Sequence, residues 1–344
     1  MIARSPADGQ GTDVGEPWQR AMRTVIGDVD ELLAVLGLAR RDVDIDDAQA
    51  FALRVPRAFV ARMQPGRADD PLLRQVLPLR AERLPLPGFS CDPLAEAQAV
   101  RQPALLHKFH GRVLLIVSGH CPIHCRYCFR RHFPYAAVRP ARAEWEQVFA
   151  CIAGDHSISE VILSGGDPLS LPDRQLQWLI GRLAAIPQLR RLRLHSRLPV
   201  LIPARVTSRL VRLLGDCPLP ASLVIHANHA QELDEQVAAA LAPLRRAGVT
   251  LLNQSVLLAG VNDRLDALCA LSERLFAIGV LPYYLHLLDR VAGAGHFAVP
   301  AERCHELYAG LLARLPGYLV PRVVREVPQA SSKVPLQLAL AVAG

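Results

Sequence analysis

Short apolar runs alternate with segments of helical spacing along the chain from about residue 111 onward. The runs predict six buried strands, at residues 113–117, 160–163, 192–195, 222–226, 250–255 and 282–287. Between and after them, apolar residues at helical spacing predict helices near 142–153, 173–185, 204–215, 232–246, 263–278 and 300–314. Six strand–helix units in a row predict an α/β protein with a parallel sheet, either doubly wound or curved into a barrel.

Each predicted strand ends in a group of polar residues, and this decides between the two kinds of sheet. The groups are a cysteine-rich loop after residue 117, Ser164-Gly165-Gly166-Asp167, His195-Ser196-Arg197, His226-Ala227-Asn228-His229, Asn253-Gln254-Ser255, and His286 with Asp289. In a barrel the carboxyl ends of all strands converge on one site, whereas in an open sheet only those at the switch point do. The sequence therefore predicts a partial (β/α)6 TIM-like barrel.

The segments before and after this core have a different pattern. Residues 1–100 are predicted to form an N-terminal helical and irregular region that covers the barrel without chemistry of its own. It begins with a helix over 17–38 that ends at Gly37. After the barrel core of residues 101–295, the C-terminal segment 296–344 contains a predicted strand at 319–324 and a polar loop that reaches Lys333.

Composition and charge narrow the class of protein. The chain has 344 residues, of which 51% are apolar and 21% charged, as in a folded globular protein. It has no run of about 18 apolar residues and no N-terminal apolar stretch, so we expect no membrane association and a cytoplasmic location. The net charge of +7 is spread along the chain without basic runs, which favours a solvated surface over a nucleic-acid partner.

Three of the eight cysteines, Cys121, Cys125 and Cys128, lie within eight residues after the first barrel strand. An iron–sulfur cube held by three cysteines leaves one iron free for a small molecule and needs no further protein ligand. A zinc ion needs a fourth ligand, and the nearby candidates are His120, His124 and His132. Unliganded buried thiols are the third alternative. The spacing favours the cluster, and the remaining cysteines, Cys91, Cys151, Cys217, Cys269 and Cys304, are expected in packed interiors.

Lysine is rare in this chain. Of 39 basic residues only two are lysines, Lys108 and Lys333. Arginine keeps its proton and forms no Schiff base, whereas a desolvated lysine can lose its proton and form one. A lysine retained in an arginine-rich chain therefore suggests a site that needs an amine.

The loop at residues 121–133 reads Cys-Pro-Ile-His-Cys-Arg-Tyr-Cys-Phe-Arg-Arg-His-Phe. Its spacing resembles the cluster loop of the radical S-adenosylmethionine (SAM) superfamily, and its second half resembles the lysine 2,3-aminomutase family within it. Further similarity runs from residues 53–57 and 70–76 to Lys333. The resemblance implies a radical SAM barrel, a [4Fe–4S] cluster, SAM and pyridoxal 5′-phosphate (PLP), and an isomerase that converts L-lysine into β-lysine. It also implies a reductant protein such as flavodoxin or ferredoxin, and a ligase that attaches β-lysine to elongation factor P.

The resemblance implies roles for residues on the cofactors. Cys121, Cys125 and Cys128 would bind the cluster. Residues that would contact SAM are Gly165, Gly166 and Asp167, which match a Gly-Gly-Glu element with Asp in place of Glu, together with His226 and Gln254. Lys333 would hold PLP covalently, in a loop where Ser331 and Ser332 replace the usual glycines, and Arg112 would contact PLP.

The resemblance also implies how the substrate is held. Arg130 would bind the α-carboxylate, because its planar fork suits two parallel hydrogen bonds. Asp289 and Glu326 would hold the ε-ammonium group, and two acids at one barrel mouth agree with a cationic substrate end. Three other interpretations remain: a free-lysine aminomutase with another product fate, a radical SAM enzyme without PLP, and a zinc-binding basic protein that binds nucleic acid.

Overall fold

One ten-stranded sheet organises the residues that the computed structural model describes, which are 16–48, 50–135 and 142–338. The strands are β1 (Val100–Gln102), β2 (Leu105–Phe109), β3 (Arg112–Ser118), β4 (Glu160–Gly165), β5 (Arg191–Ser196), β6 (Ala221–His226), β7 (Thr250–Leu257), β8 (Leu281–Leu287), β9 (Arg322–Arg325) and β10 (Val334–Pro335). Strands β3 to β9 are parallel and pair in chain order, while β1, β2 and β10 add antiparallel at the two edges.

The described helices cover the outside of the sheet, and five short ones lie in the N-terminal region. They are α1 (Pro17–Arg23), α2 (Val29–Leu36), α3 (Arg57–Val60), α4 (Pro71–Arg74), α5 (Glu96–Ala99), α6 (Arg142–Gly154), α7 (Asp173–Ala184), α8 (Leu198–Leu201), α9 (Ser208–Gly215), α10 (Glu235–Arg246), α11 (Leu265–Ala277) and α12 (Ala301–Arg314). Short 3-10 turns lie at Arg40–Asp42, Arg80–Arg83, Pro168–Ser170, Pro203–Arg205, Ala230–Glu232, Gly295–Phe297 and Gly317–Leu319. None of the helices described is both long and apolar enough to cross a membrane.

The sheet is a partial barrel, as the sequence predicts. All six predicted strands are present as β3 to β8, and a helix follows each of them. No pairing joins β1 to β10 in the described sheet, so the barrel is not closed. The division of the chain at residues 100 and 295 stays a prediction.

Side-chain alternation along the strands separates the core from the barrel interior. In β5, Leu192 and Leu194 are fully buried against the surrounding helices, whereas Arg193 and His195 are half-buried and face the interior cavity. Successive side chains of a strand point to opposite faces, so each strand supplies both packing and chemistry. The core beneath the helices is mainly leucine, isoleucine and valine.

The long helix predicted at 17–38 is wrong, because the chain forms two helices there. Between α1 and α2, Ile26 exchanges both backbone hydrogen bonds with Val55, at 2.8 and 2.9 Å. Asp28 then caps the second helix by accepting from the backbone N–H of Glu31 at 2.8 Å. The helix ends at Gly37 as predicted, in the left-handed conformation that glycine adopts most easily.

Other boundaries also differ from the sequence-based ones for local reasons. The helix predicted near 204–215 begins only after Thr207, whose hydroxyl accepts from Leu210 N–H at 3.1 Å. The helix predicted near 232–246 begins after Asp234, which caps it in the same way. The strand predicted at 319–324 begins later, as β9, because the 3-10 turn at Gly317–Leu319 occupies the start of the apolar run.

The antiparallel strands β1 and β2 were not predicted. The scattered cysteines divide by environment: Cys269 and Cys304 are buried, Cys151 and Cys217 are partly buried, and Cys91 is exposed. The predicted interior position is therefore wrong for Cys91.

Candidate active site

A cavity of about 660 Å³ runs along the barrel interior, from the cysteine loop at one end to β8 and β9 at the other. It is lined by every residue to which the sequence analysis gave a role: Cys121, Cys125, Cys128, Gly165, Gly166, Asp167, His226, Gln254, Arg112, Arg130, Asp289, Glu326 and Lys333. These residues span more than two hundred positions of sequence. Most of them lie at the carboxyl ends of barrel strands or in the loops that follow, which meet at one mouth. Arg112 is the exception, because it is the first residue of β3 and lines the interior from the other end.

The N-terminal region anchors the cysteine loop. Arg126, only 1% exposed, binds both carboxylate oxygens of Glu82 at 2.7 and 2.6 Å, and Arg131 reaches the same carboxylate at 2.7 Å. The backbone N–H of Arg126 donates to the carbonyl of Gln75 at 2.9 Å, and His124 stacks on Phe51 with ring centroids 4.6 Å apart. The basic residues between the cysteines are therefore buried anchors, and the N-terminal region does more than cover the barrel.

One cluster cysteine has a direct cationic neighbour. Nη1 of Arg197 donates to the sulfur of Cys125 at 2.7 Å, while Nη2 binds Glu232 at 2.9 Å. Burial raises the pKa of Cys128 to about 11 and also raises the pKa of Cys121. Metal binding at such thiols releases their protons, since the thiolate is the ligand.

The histidines considered as a fourth zinc ligand have other contacts. Nδ1 of His124 lies 2.8 Å from the carbonyl of Ala52, and Nε2 of His132 lies 3.1 Å from the carbonyl of Ala292. Within the described ranges, no three His, Cys, Asp or Glu side chains are grouped closely enough to hold one metal ion. An iron–sulfur cube binds each cysteine to a different iron, so it does not require such a group.

The Gly-Gly turn after β4 packs directly on the start of the cysteine loop. Gly166 N–H donates to the carbonyl of Ser118 at 2.8 Å. A Cβ atom at Gly165 would lie 2.2 Å from the Ser118 carbonyl oxygen, and one at Gly166 would lie 2.6 Å from that of His120. Gly165 also has φ of +134°, which disfavours any side chain. The two glycines are therefore needed to bring the turn and the loop together.

We expect Gly166→Ala to displace residues 118–120 and to weaken iron binding. Because the added methyl meets the backbone of Gly119 and His120, the substitution should cost roughly 1–3 kcal/mol of unfolding free energy, as overpacking does. Iron per chain after anaerobic reconstitution and denaturant unfolding measure both effects. Gly181→Ala in α7 is the matched control, because a Cβ there meets nothing within 4 Å. Equal iron content in the two variants would contradict the structural role.

The residues predicted to contact SAM differ in how their polar atoms are used. The carboxylate of Asp167 accepts from Ser196 and from the backbone N–H groups of Leu169, Arg197 and Leu198, at 2.7 to 3.0 Å. Burial raises its pKa to about 6 despite these bonds. Asp167 thereby ties the ends of β4 and β5 together, and its contact with SAM stays a prediction.

His226 and Gln254 bring further polar atoms to the cavity wall. Nε2 of His226 is shielded from solvent and has no hydrogen-bond partner in the part of the chain described, and the side chain of Gln254 lines the cavity close by on the adjacent strand. Burial, reinforced by the charge of Arg197, lowers the pKa of His226 to about 3, so its imidazole is uncharged at neutral pH. Such atoms in a cavity are suited to a polar ligand.

At the other end of the cavity, the two lysines of the chain share one carboxylate. Lys333 Nζ lies 3.0 Å from Oε2 of Glu326, Lys108 Nζ binds Oε1, and Lys333 Nζ is also 3.5 Å from Nε2 of His286. Burial raises the pKa of Glu326, but the ammonium groups of Lys333 and Lys108 outweigh it and bring the pKa to about 2. Glu326 is therefore an anion at any physiological pH.

A guanidinium without a carboxylate partner lies near this lysine pair. Arg112 stacks over the ring of Phe109 at 4.8 Å and makes no ion pair with a described residue, whereas the neighbouring Arg193 is bound to Glu160 at 3.1 and 2.7 Å. Arg112 is thus available to an anionic group. Ser331 and Ser332 are exposed or partly exposed and are not among the lining residues of the cavity, so the structure gives no support for a phosphate contact from their hydroxyls.

Two side chains of the protein already bind the guanidinium of Arg130. Its Nε and Nη2 bind the two oxygens of Glu96 at 2.7 and 2.8 Å, and its Nη1 donates to Ser164 at 3.1 Å. Arg130 and Glu96 side chains are each 6% exposed. The sequence did not identify Glu96, because it lies 34 residues before its partner, at the start of a four-residue helix that no sequence signal predicts.

The fold and the cavity define an α/β-barrel enzyme with a three-cysteine loop and a lysine amine in the cavity wall, and comparison with known proteins gives its family. The chain is 49% identical over 328 residues to the L-lysine 2,3-aminomutase of Escherichia coli (strain K12), covering 94% of this chain and 96% of that protein. It is 44% identical to the enzyme of the same name from Haemophilus influenzae, with coverages of 92% and 94%. To that from Clostridium subterminale it is 32% identical, with coverages of 93% and 77%. The chain therefore belongs to the lysine 2,3-aminomutase family, and it is an isomerase.

Comparison with family models and with solved structures gives less information about the family. No family model matches the chain. Among solved structures, a radical SAM methyltransferase from Sphaerobacter thermophilus has a TM-score of 0.46 and 18% identity, covering 64% of this chain and 68% of that one.

Membership of the family implies a [4Fe–4S] cluster, SAM and PLP, and the cavity wall fits them. Three thiols suit a cluster with one open iron. The unpartnered nitrogen of His226 and the amide of Gln254 suit a polar molecule beside the cluster. Lys333 can form a Schiff base with an aldehyde, and Arg112 can bind the phosphate that the aldehyde carries. The prediction of these cofactors is confirmed at the level of the family, and the role of each residue stays a prediction.

Proposed function

We propose that this protein is a PLP-dependent radical SAM L-lysine 2,3-aminomutase whose β-lysine is attached to elongation factor P. One observation supports the aminomutase most strongly. A single cavity is lined by the three loop cysteines, by Lys333 and by a cation and two acids placed for the two ends of an amino acid. When bound, the cluster with SAM supplies hydrogen-atom abstraction, and PLP carries the amino group as it moves between neighbouring carbons.

The chain itself holds the substrate and the cofactors. Lys333 would hold PLP covalently until the α-amino group of the substrate replaces it, and Glu326, 3.0 Å from Lys333 Nζ, would balance the charge of the lysine once it is free. Arg130 holds the carboxylate, while Asp289 and Glu326 face the ε-ammonium. Fixing both ends aligns the two carbons between which the amino group moves, and the walls of the barrel limit the access of water and stray hydrogen donors.

The carboxyl groups of Asp289 and Glu326 differ in charge near neutral pH, and this difference makes substrate binding depend on pH. Burial, together with the charges of Glu326 and Glu96, raises the pKa of Asp289 to about 7, although Lys333 and Lys108 oppose the shift. Below that pH Asp289 is neutral and cannot pair with an ammonium ion. The substrate ammonium stays charged throughout, since its ordinary pKa is about 10.4.

We therefore expect L-lysine to bind more tightly as the pH rises from about 6 to about 8, with a limiting slope of about tenfold per pH unit below the pKa. Equilibrium titration of the cofactor-loaded protein measures this. Asp289→Asn should remove the dependence, and so should replacing L-lysine by L-2-aminohexanoate, which lacks the ε-ammonium. A slope that persists in Asp289→Asn would show that another group is responsible.

The partners follow from the reaction and the proposed product fate. A low-potential reductant, such as flavodoxin or ferredoxin, would reduce the cluster, and a ligase would join β-lysine to elongation factor P in the cytoplasm. The similarity to the L-lysine 2,3-aminomutase of E. coli over nearly both full lengths supports the same reaction in this protein. A free-lysine aminomutase with another product fate is the second candidate.

Anaerobic incubation with L-lysine, SAM, PLP and dithionite tests the proposed activity. We expect β-lysine by chromatography of the derivatised products, formed only when all the components are present. Purified elongation factor P and its ligase, added with the product, test the second part. Full cluster and PLP loading without β-lysine would overturn the activity, whereas β-lysine that the ligase does not use would leave the second candidate.

A further inference from the structure

A polar side chain with no role in the proposed mechanism lies among residues that do have one. His195, near the end of β5, lines the cavity, and its Nε2 is shielded from solvent without a hydrogen-bond partner in the described ranges. Burial lowers its pKa well below the ordinary value, and the charges of Arg193, Lys333, Arg130 and His286 add to the shift. His195 is thus an uncharged imidazole surrounded by cationic and polar groups.

Unpartnered buried polar atoms are rare, and each one requires an explanation. Two arginines that line the cavity, Arg131 and Arg197, also have an unpaired Nε, but each holds a carboxylate through another nitrogen. His226 has a proposed role toward SAM. Among the described residues of the cavity wall, His195 therefore has a free ring nitrogen that neither the protein nor the proposed mechanism explains.

The strongest binding edge of the proposed carboxylate receptor is already used. Glu96 occupies the Nε and Nη2 edge of Arg130, which forms two parallel bonds to one carboxylate and balances the charge of the guanidinium. Of the remaining N–H groups on Nη1 and Nη2, one donates to the hydroxyl of Ser164. Arg130 therefore holds a second carboxylate less strongly than a free arginine would, and a further donor from another residue would add to the affinity.

We propose that His195 donates the second hydrogen bond to the substrate carboxylate and is a specificity-determining residue for α-amino acids. The inference rests on the proposed function. In an amino acid the amino group and the carboxylate share one carbon. When the amino group takes the position of Lys333 Nζ, the carboxylate is attached to the same carbon, and His195 is within the electrostatic reach of both Lys333 and Arg130.

Substitutions that keep or remove the donor test this role. His195→Leu removes the ring nitrogens at similar volume, and His195→Gln keeps an N–H donor. Each variant, loaded with cluster and PLP, is titrated without reductant against L-lysine and against 1,5-diaminopentane, which has both amines but no carboxylate. The change in PLP absorbance reports binding without turnover. His156→Leu is the control, because His156 is exposed and does not line the cavity.

We expect His195→Leu to weaken L-lysine binding roughly ten- to hundredfold, as the loss of a hydrogen bond to a charged group does, and to change diaminopentane binding by less than about twofold. His195→Gln should recover most of the loss. Equal weakening of both ligands, or of neither, would overturn the proposal. Wild-type protein that forms no β-lysine would count against the proposed function instead, so the two failures are distinguishable.

Discussion

Replacing Lys333 by alanine should abolish β-lysine formation and leave the protein unable to retain PLP through gel filtration. The only other lysine, Lys108, binds the opposite oxygen of Glu326 and cannot reach the same position without breaking that ion pair. Borohydride reduction of the PLP-loaded wild type should therefore place the phosphopyridoxyl group on Lys333 alone. Peptide mass spectrometry identifies the modified residue.

Lys108→Arg is the matched control for this result. Arginine keeps the positive charge next to Glu326 but forms no Schiff base, so PLP should remain on Lys333 and the cofactor should be retained. A phosphopyridoxyl group found on Lys108 would contradict the assignment. Full activity in Lys333→Ala would instead support the interpretation of a radical SAM enzyme without PLP.

Replacing Cys125 by alanine should have an equally large effect, through loss of the cluster. Cys125 is one of three thiols on the cavity wall, and the loss of one leaves an iron without its protein ligand. Iron and sulfide should fall far below the wild-type content after anaerobic reconstitution, and no β-lysine should form. Visible absorption and iron analysis measure the loss.

Cys91→Ala serves as the control, because Cys91 is exposed and is not part of the cavity wall. It should keep the iron content, the colour and the activity of the wild type. A Cys125→Ala protein with full iron content would show that the cysteine loop does not hold the metal.

The strands could be predicted from the sequence because they depend on local signals, whereas cavity residues such as Arg112 and Glu326 were predicted only through the family resemblance. Apolar runs marked the six strands, and polar groups after them marked the mouth of the barrel. The three loop cysteines, Cys121, Cys125 and Cys128, form a short motif with a fixed spacing. Lys333 was visible for a different reason, since lysine is almost absent from this chain.

The ion pairs that support the site could not be predicted, because their partners are far apart in sequence. Glu96 begins α5, a helix too short to be predicted from apolar spacing, and it binds Arg130 only because the N-terminal region folds over the cysteine loop. Lys108 and Glu326 are 218 residues apart and meet across the barrel. His195 gave only the weak signal of a polar residue at a strand end, which many strands share.

If three thiolates hold a cluster with one open iron beside a bound SAM, the anaerobically isolated, dithionite-reduced protein should show the electron paramagnetic resonance signal of a reduced [4Fe–4S] cluster. That signal should change clearly when SAM is added, because SAM binds the open iron. Protein that contains zinc, or a cluster whose signal SAM leaves unchanged, would rule out such a site.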